Sequence, residues 1–83
     1  MKISVKYFAA IREDLGRSGQ QIETSAITLG ALRDELIALD AVLAVSLARG
    51  RSLRMALNQV MSDDAAALTD GAEVAFFPPV TGG

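Results

Sequence analysis

The chain has 83 residues, 51% of them hydrophobic, and contains neither cysteine nor histidine. That length supports one small domain, and the two missing residue types exclude disulfide frameworks, zinc ribbons, Fe–S clusters, thiol nucleophiles and imidazole bases. Ten acidic against eight basic residues leave a formal net charge of −2, which opposes a general nucleic-acid binder, because such a protein needs a basic footprint to displace counterions.

Ile3, Val5 and Tyr7 alternate with Lys2, Ser4 and Lys6, a period of two that predicts a half-buried strand over residues 2–8. The same stretch lacks the apolar block of a signal peptide. No apolar run nears the roughly 18 residues of a membrane span, so a cytoplasmic protein is expected. Ala9 to Gly16 breaks the alternation and suits one or two helical turns stopped by Gly16. Arg17-Ser18-Gly19 reads as a turn, and Gln20 to Ala26 as a second strand paired with the first. Thr28 is placed to cap a helix. Leu29, Leu32, Leu36 and Leu39 form its apolar stripe, with Arg33, Asp34 and Glu35 mostly off it. Gly30 in the first turn is a small cost. Asp40 suits the cap of a second short helical piece through Leu47, closed by Gly50. Leu53, Met55 and Leu57 alternate again, and Asn58-Gln59 turns the chain before Val60-Met61. Asp70-Gly71 is a strong turn signal. Glu73 to Phe77 forms a last strand with Val74 and Phe76 on one face and Ala75 and Phe77 on the other. Pro78-Pro79 ends it, since neither residue can donate to a ladder. The predicted class is α+β, with one main helix packed across one face of a mixed sheet. A folded unit over 1–77 would carry an extended C-terminal tail over 78–83.

Several polar groups admit two readings. Arg12 suits either a partner contact or a solvated helix surface. Arg49, Arg51 and Arg54 suit an acidic-partner patch or a solvated loop; three arginines in an acidic chain make little footprint, which weighs toward the loop. Asp63-Asp64 lacks further ligands nearby in sequence, so a capping or solvated turn outweighs a divalent-metal site, and no metal is expected. One helix covers only one sheet face, so Phe8 or Phe77 is left for the open face, where an aromatic patch would bind a partner. No catalytic constellation is present.

The C-terminal tail is the place where chemistry could sit. Two prolines stiffen an extended exit, and Pro79 to Gly83 would reach at most about 17 Å at ~3.3 Å per residue. A chain ending in two glycines presents a carboxylate that can thread a narrow cleft, where side chains would block entry; the alternative is a frayed terminus.

Tyr7-Phe8-Ala9-Ala10-Ile11-Arg12-Glu13, the Asn58-Gln59 pair and, above all, the run Leu68-Thr69-Asp70-Gly71-Ala72-Glu73-Val74-Ala75-Phe76-Phe77-Pro78-Pro79-Val80-Thr81-Gly82-Gly83 resemble the small, sulfur-carrying subunits of molybdopterin synthases. Those are ubiquitin-like proteins of β-grasp fold. The resemblance covers essentially the whole chain, and Asp63 to Ala67 matches poorly. It implies a sulfur carrier in molybdenum cofactor biosynthesis that is not an enzyme by itself. An E1-like adenylyltransferase would use ATP to adenylate the Gly83 carboxylate, and a sulfur donor protein would convert it to a thiocarboxylate. The tail, Pro78, Pro79, Val80, Thr81, Gly82 and Gly83, would then enter the active site of the large synthase subunit and give its sulfur to a pyranopterin precursor. The resemblance also implies a heterotetramer, a contribution of Phe8, Phe76 and Phe77 to partner docking or the core, Arg12 facing the activating enzyme, and no permanently bound cofactor. A thiamine-pathway or other ubiquitin-like sulfur carrier, or an interaction module whose tail does no chemistry, stands as the alternative.

Overall fold

A computed structural model describes residues 1–78. Eight elements follow one another: β1 (Lys2–Tyr7), α1 (Ala9–Leu15), β2 (Gly19–Glu23), α2 (Leu29–Leu39), α3 (Ala41–Ser46), β3 (Arg54–Leu57), β4 (Val60–Ser62) and β5 (Glu73–Phe77). Among the described residues the strands form one mixed sheet in the order β2-β1-β5-β3-β4. β1 runs parallel to its central neighbour β5, and every other pairing is antiparallel. This is the predicted α+β arrangement, with α2 as the main helix on one face.

The pleat decides which side chains meet that helix. Ile3, Val5 and Tyr7 of β1, Met55 of β3, and Val74 and Phe76 of β5 point inward onto Leu29, Leu32 and Leu36 of α2 and onto Ile11, Leu43 and Leu47. Tyr7 and Phe76, register partners across the parallel pair, stack with ring centroids 6.3 Å apart. Caps fall where the sequence puts them. Thr28 Oγ1 accepts from the Ala31 amide, and Asp40 Oδ1 accepts from the amides of Val42 and Leu43, which satisfies orphan donors at two helix starts. Gly16 closes α1 in a left-handed conformation, φ 79°, as a helix C-terminal glycine commonly does. Asn58 and Gln59, both at positive φ, make the two-residue turn between β3 and β4.

Three expectations need correction. The second strand stops at Glu23 rather than running to Ala26, because the Thr24 hydroxyl accepts from the Ala26 amide and donates to Glu35 Oε1. That local bond offers the backbone an alternative to the ladder. Leu39 leaves the apolar stripe and is 69% exposed, whereas Arg33 is buried on it. At 100° per residue Arg33 lies only about 40° from Leu29, while Leu39 lies about 80° to the other side. The position is filled by a cation because of what it faces: the Arg33 guanidinium donates to the carbonyls of Leu47 and Ala48, both at 2.7 Å. The Leu47 carbonyl is one that the end of α3 would otherwise leave unpaired, and the Ala48 carbonyl also accepts from the Arg51 amide at 3.0 Å. Burial, then the nearby Arg49 charge, pulls the Arg33 pKa below its ordinary value, but a guanidinium stays charged at neutral pH.

Arg49 corrects the third expectation, a purely solvated arginine cluster. Its guanidinium donates to Asp34, to Asp64 and to the Gly30 carbonyl, and so ties α2 to the loop after β4. Arg51 and Arg54 are exposed. Asp63 caps its own turn, with Oδ1 accepting from the Ala65 amide.

Candidate functional site

The chain reaches Pro78 straight from β5, the strand at the centre of the sheet. The face away from α2 therefore surrounds the root of the tail. Side chains reach that face by alternation: Lys6 and Phe8 after β1's inward residues, Ala75 and Phe77 from β5, Arg54 and Ala56 from β3, and Met61 from β4. The register puts Arg54 beside Phe77, and Ala56 between Ala75 and Met61.

Phe8 and Phe77 form the centre of this surface. Their rings stack at 4.7 Å between centroids and 13° between planes, and both are half-buried. The pairing follows from β1–β5 register. Tyr7 lies opposite Phe76, and the Phe8 amide still donates to the Phe76 carbonyl at 3.3 Å. One residue further along each strand, the pleat turns both side chains outward. Ala56 and Ala75 are nearly covered, while Met61 is 57% exposed. Small side chains thus form a floor between the aromatic pair and Met61. At the other side Lys6 pairs with Glu73 at 3.4 Å.

Arg12 stands exposed on α1, at a groove of about 440 Å³ shared with Lys6, Phe8, Ser18, Gly19 and Gln21. Gly19 is the bare spot in its wall. A Cβ there would come within 2.7 Å of the Val5 carbonyl oxygen. The Tyr7 hydroxyl accepts from Gln20 Nε2 at 2.6 Å. Burial pushes its pKa above the ordinary value, against the opposing pull of the Gln20 hydrogen bond, so it is protonated at neutral pH and supplies no base.

The structure brings the expected docking residues Phe8 and Phe77 together, with Arg12 beside Phe8 in the groove. Phe76, expected in the docking surface or the core, lies wholly in the core. Pro78 follows β5 directly and is half-buried. The expected tail positions Pro79, Val80, Thr81, Gly82 and Gly83 lie outside the described residues. Sequence reasoning put Ala75 on the face of Phe77 and offered Arg54 for a partner patch, but it missed Ala56 and Met61, and the register that sets all four around Phe77 was not legible. Among the described residues no three Asp or Glu side chains gather as metal ligands, and no helix is long and apolar enough to cross a membrane.

Comparison with known proteins agrees with this geometry. The family model described as the ThiS family matches residues 5–83. The chain is 42% identical over 81 residues to the molybdopterin synthase sulfur carrier subunit of Escherichia coli (strain K12), covering 98% of this chain and 99% of the relative. SAMP1 from Haloferax volcanii shares the fold at TM-score 0.82 and 24% identity, with both chains covered completely. A Helicobacter pylori protein solved as a complex of subunits 1 and 2 of molybdopterin-converting factor matches at TM-score 0.71 and 28% identity, again over the full length of both chains. A β-grasp sheet, an open aromatic face at the end of the last strand and near-complete alignment converge: the chain belongs to the ThiS family, together with the molybdopterin synthase sulfur carrier subunits.

Proposed function

We propose that this protein carries sulfur for molybdenum cofactor biosynthesis on its C-terminal glycine. The observation that carries this reading is the 42% identity to a molybdopterin synthase sulfur carrier subunit over nearly the whole of both chains. The open aromatic face supports it, because it adjoins the strand that leads into the tail.

The chemistry needs no side chain of this protein. A carboxylate is a poor electrophile. An E1-like adenylyltransferase joins the Gly83 carboxylate to the α-phosphate of ATP, releasing pyrophosphate. A sulfur donor protein then supplies the nucleophile that displaces AMP and leaves a thiocarboxylate. Held against the large synthase subunit, the tail presents this sulfur to a pyranopterin precursor and is regenerated as a carboxylate. A dithiolene requires two sulfurs, so two charged carriers are consumed per product. The lack of cysteine and histidine fits a carrier whose sulfur sits on the backbone terminus and whose partners supply acid–base groups in the cytoplasm.

Docking divides between two features. Phe8 and Phe77, with Ala56, Ala75 and Met61 around them, form an apolar patch that a partner can desolvate. Arg12 and Arg54 flank the aromatic pair as cations and favour carboxylates on the activating enzyme or the large subunit. The test is reconstitution. Thiocarboxylated protein, mixed with purified large subunit and the cyclic precursor, should yield the dithiolene, and uncharged protein should yield none. Charging without transfer to that precursor, but with transfer in a thiazole-forming assay, would favour the thiamine-pathway alternative.

A further inference from the structure

Ala9 adopts a left-handed backbone, φ 51°, although it has a Cβ that this conformation crowds. It lies at the junction of strand and helix, although α2 and α3 start after the equally extended Thr28 and Asp40 with no residue at positive φ. Phe8 before it is extended, φ −124° and ψ 155°, and its amide is still bonded to the Phe76 carbonyl in the manner of the parallel ladder. From Ala9 onward the chain is helical, and the Ile11 amide already donates back to the Phe8 carbonyl at 3.2 Å. Continuing the strand by one more residue would carry the chain past the end of β5. Entering the helix one residue earlier would take Phe8 off the open face and away from Phe77. The Ala9 side chain is exposed, so packing of its methyl group does not impose this conformation.

We infer that Ala9 is a positioning residue for partner docking: its left-handed backbone holds the Phe8 ring on Phe77, and so fixes the aromatic surface beside the root of the tail. Strained backbone retained at a functional surface has this logic, since relaxing it would release a geometry that the function uses. The inference rests on the proposed docking through that surface.

The test compares Ala9→Gly, Ala9→Val and Phe77→Ala, alone and with Ala9→Val added to Phe77→Ala. Glycine adopts positive φ without crowding, so Ala9→Gly should raise the denaturation midpoint, keep the Phe8–Phe77 ring contacts seen as NMR cross-relaxation, and leave the Kd for the large subunit within about twofold. Valine opposes positive φ. Ala9→Val should abolish the Phe8–Phe77 contacts, preserve those between Tyr7 and Phe76, and weaken the Kd about tenfold or more. In the Phe77→Ala background, Ala9→Val should weaken binding no further. Equal weakening in both backgrounds, or ring contacts that survive Ala9→Val, would overturn the inference. Ala9→Gly decides it should the valine variant not fold, because a lowered midpoint there also overturns it. Wild-type protein that fails to bind the large subunit would instead overturn the docking assignment, and the ring contacts would still report whether Ala9 holds the pair.

Discussion

Phe76 and Phe77 are adjacent in sequence and face opposite sides of one strand: Phe76 is fully buried against Tyr7, and Phe77 stacks on Phe8 at the open surface. The pleat therefore assigns one ring to stability and its neighbour to recognition.

Alanine substitution separates these roles. Phe76→Ala should cost about 3–5 kcal/mol, as for a buried aromatic whose cavity cannot collapse. Phe77→Ala loses a half-exposed stack and should cost about 0.5–1.5 kcal/mol, while weakening binding to the large subunit. Denaturant titration measures the first pair of values. Equal losses would place both rings in the core.

Gly30 appears replaceable by its helix propensity, which favours alanine by about 1 kcal/mol. Its surroundings say otherwise. A Cβ there would lie 2.9 Å from the Asp64 Cβ, and the loop cannot easily withdraw, because the Gly30 amide donates to the Asp64 carbonyl at 3.0 Å and Arg49 holds the Asp64 carboxylate. Gly30→Ala should therefore destabilise by about 1–2 kcal/mol net, the overpacking penalty exceeding the propensity gain. A raised midpoint would show that the loop gives way freely.

The Arg49 clamp predicts a pH dependence. Its hydrogen bond is the main cause that holds the Asp34 pKa below the ordinary carboxylate value. A carboxylate depressed on folding contributes stability that is present above its unfolded pKa and is lost as pH falls through its folded one. Wild type should thus exceed Arg49→Met in stability near neutrality, and the difference should narrow below about pH 4. The pair is exposed, so high salt should narrow it too. A gap unchanged from neutral to acid would remove Asp34 from the clamp.

Gly82→Ala lies beyond the last strand, which ends at Phe77. It should leave the denaturation midpoint within about 0.5 kcal/mol of wild type yet slow activation or sulfur transfer, because a methyl group would have to enter the cleft with the tail. Transfer at the wild-type rate would refute the narrow-cleft requirement.

Much of this architecture was legible because local signals agreed with one another. Thr28 and Asp40 cap helices, Asn58-Gln59 and Asp70-Gly71 turn the chain, and alternation in Ile3-Val5-Tyr7 and Val74-Phe76 marks the inner face. The misses share a cause, since each depends on what a residue meets across space. Arg33 sits on an apolar stripe because α3 ends beside it, and Arg49 is a clamp because Asp34 and Asp64 converge there. Phe8 and Phe77 were each visible as surface candidates, but their stack needed the parallel register of β1 on β5. Gly82 and Gly83, which lie outside the described residues, carry the proposed chemistry through the motif that they end.

The most direct test is the intact mass of the purified protein after incubation with ATP, a competent E1-like activating enzyme and a sulfur donor, with fragmentation to map any change. Sulfur carriage predicts a gain of one sulfur less one oxygen, located at Gly83 and absent without ATP. An unchanged mass, under conditions in which the same activating enzyme charges a known carrier, would contradict it.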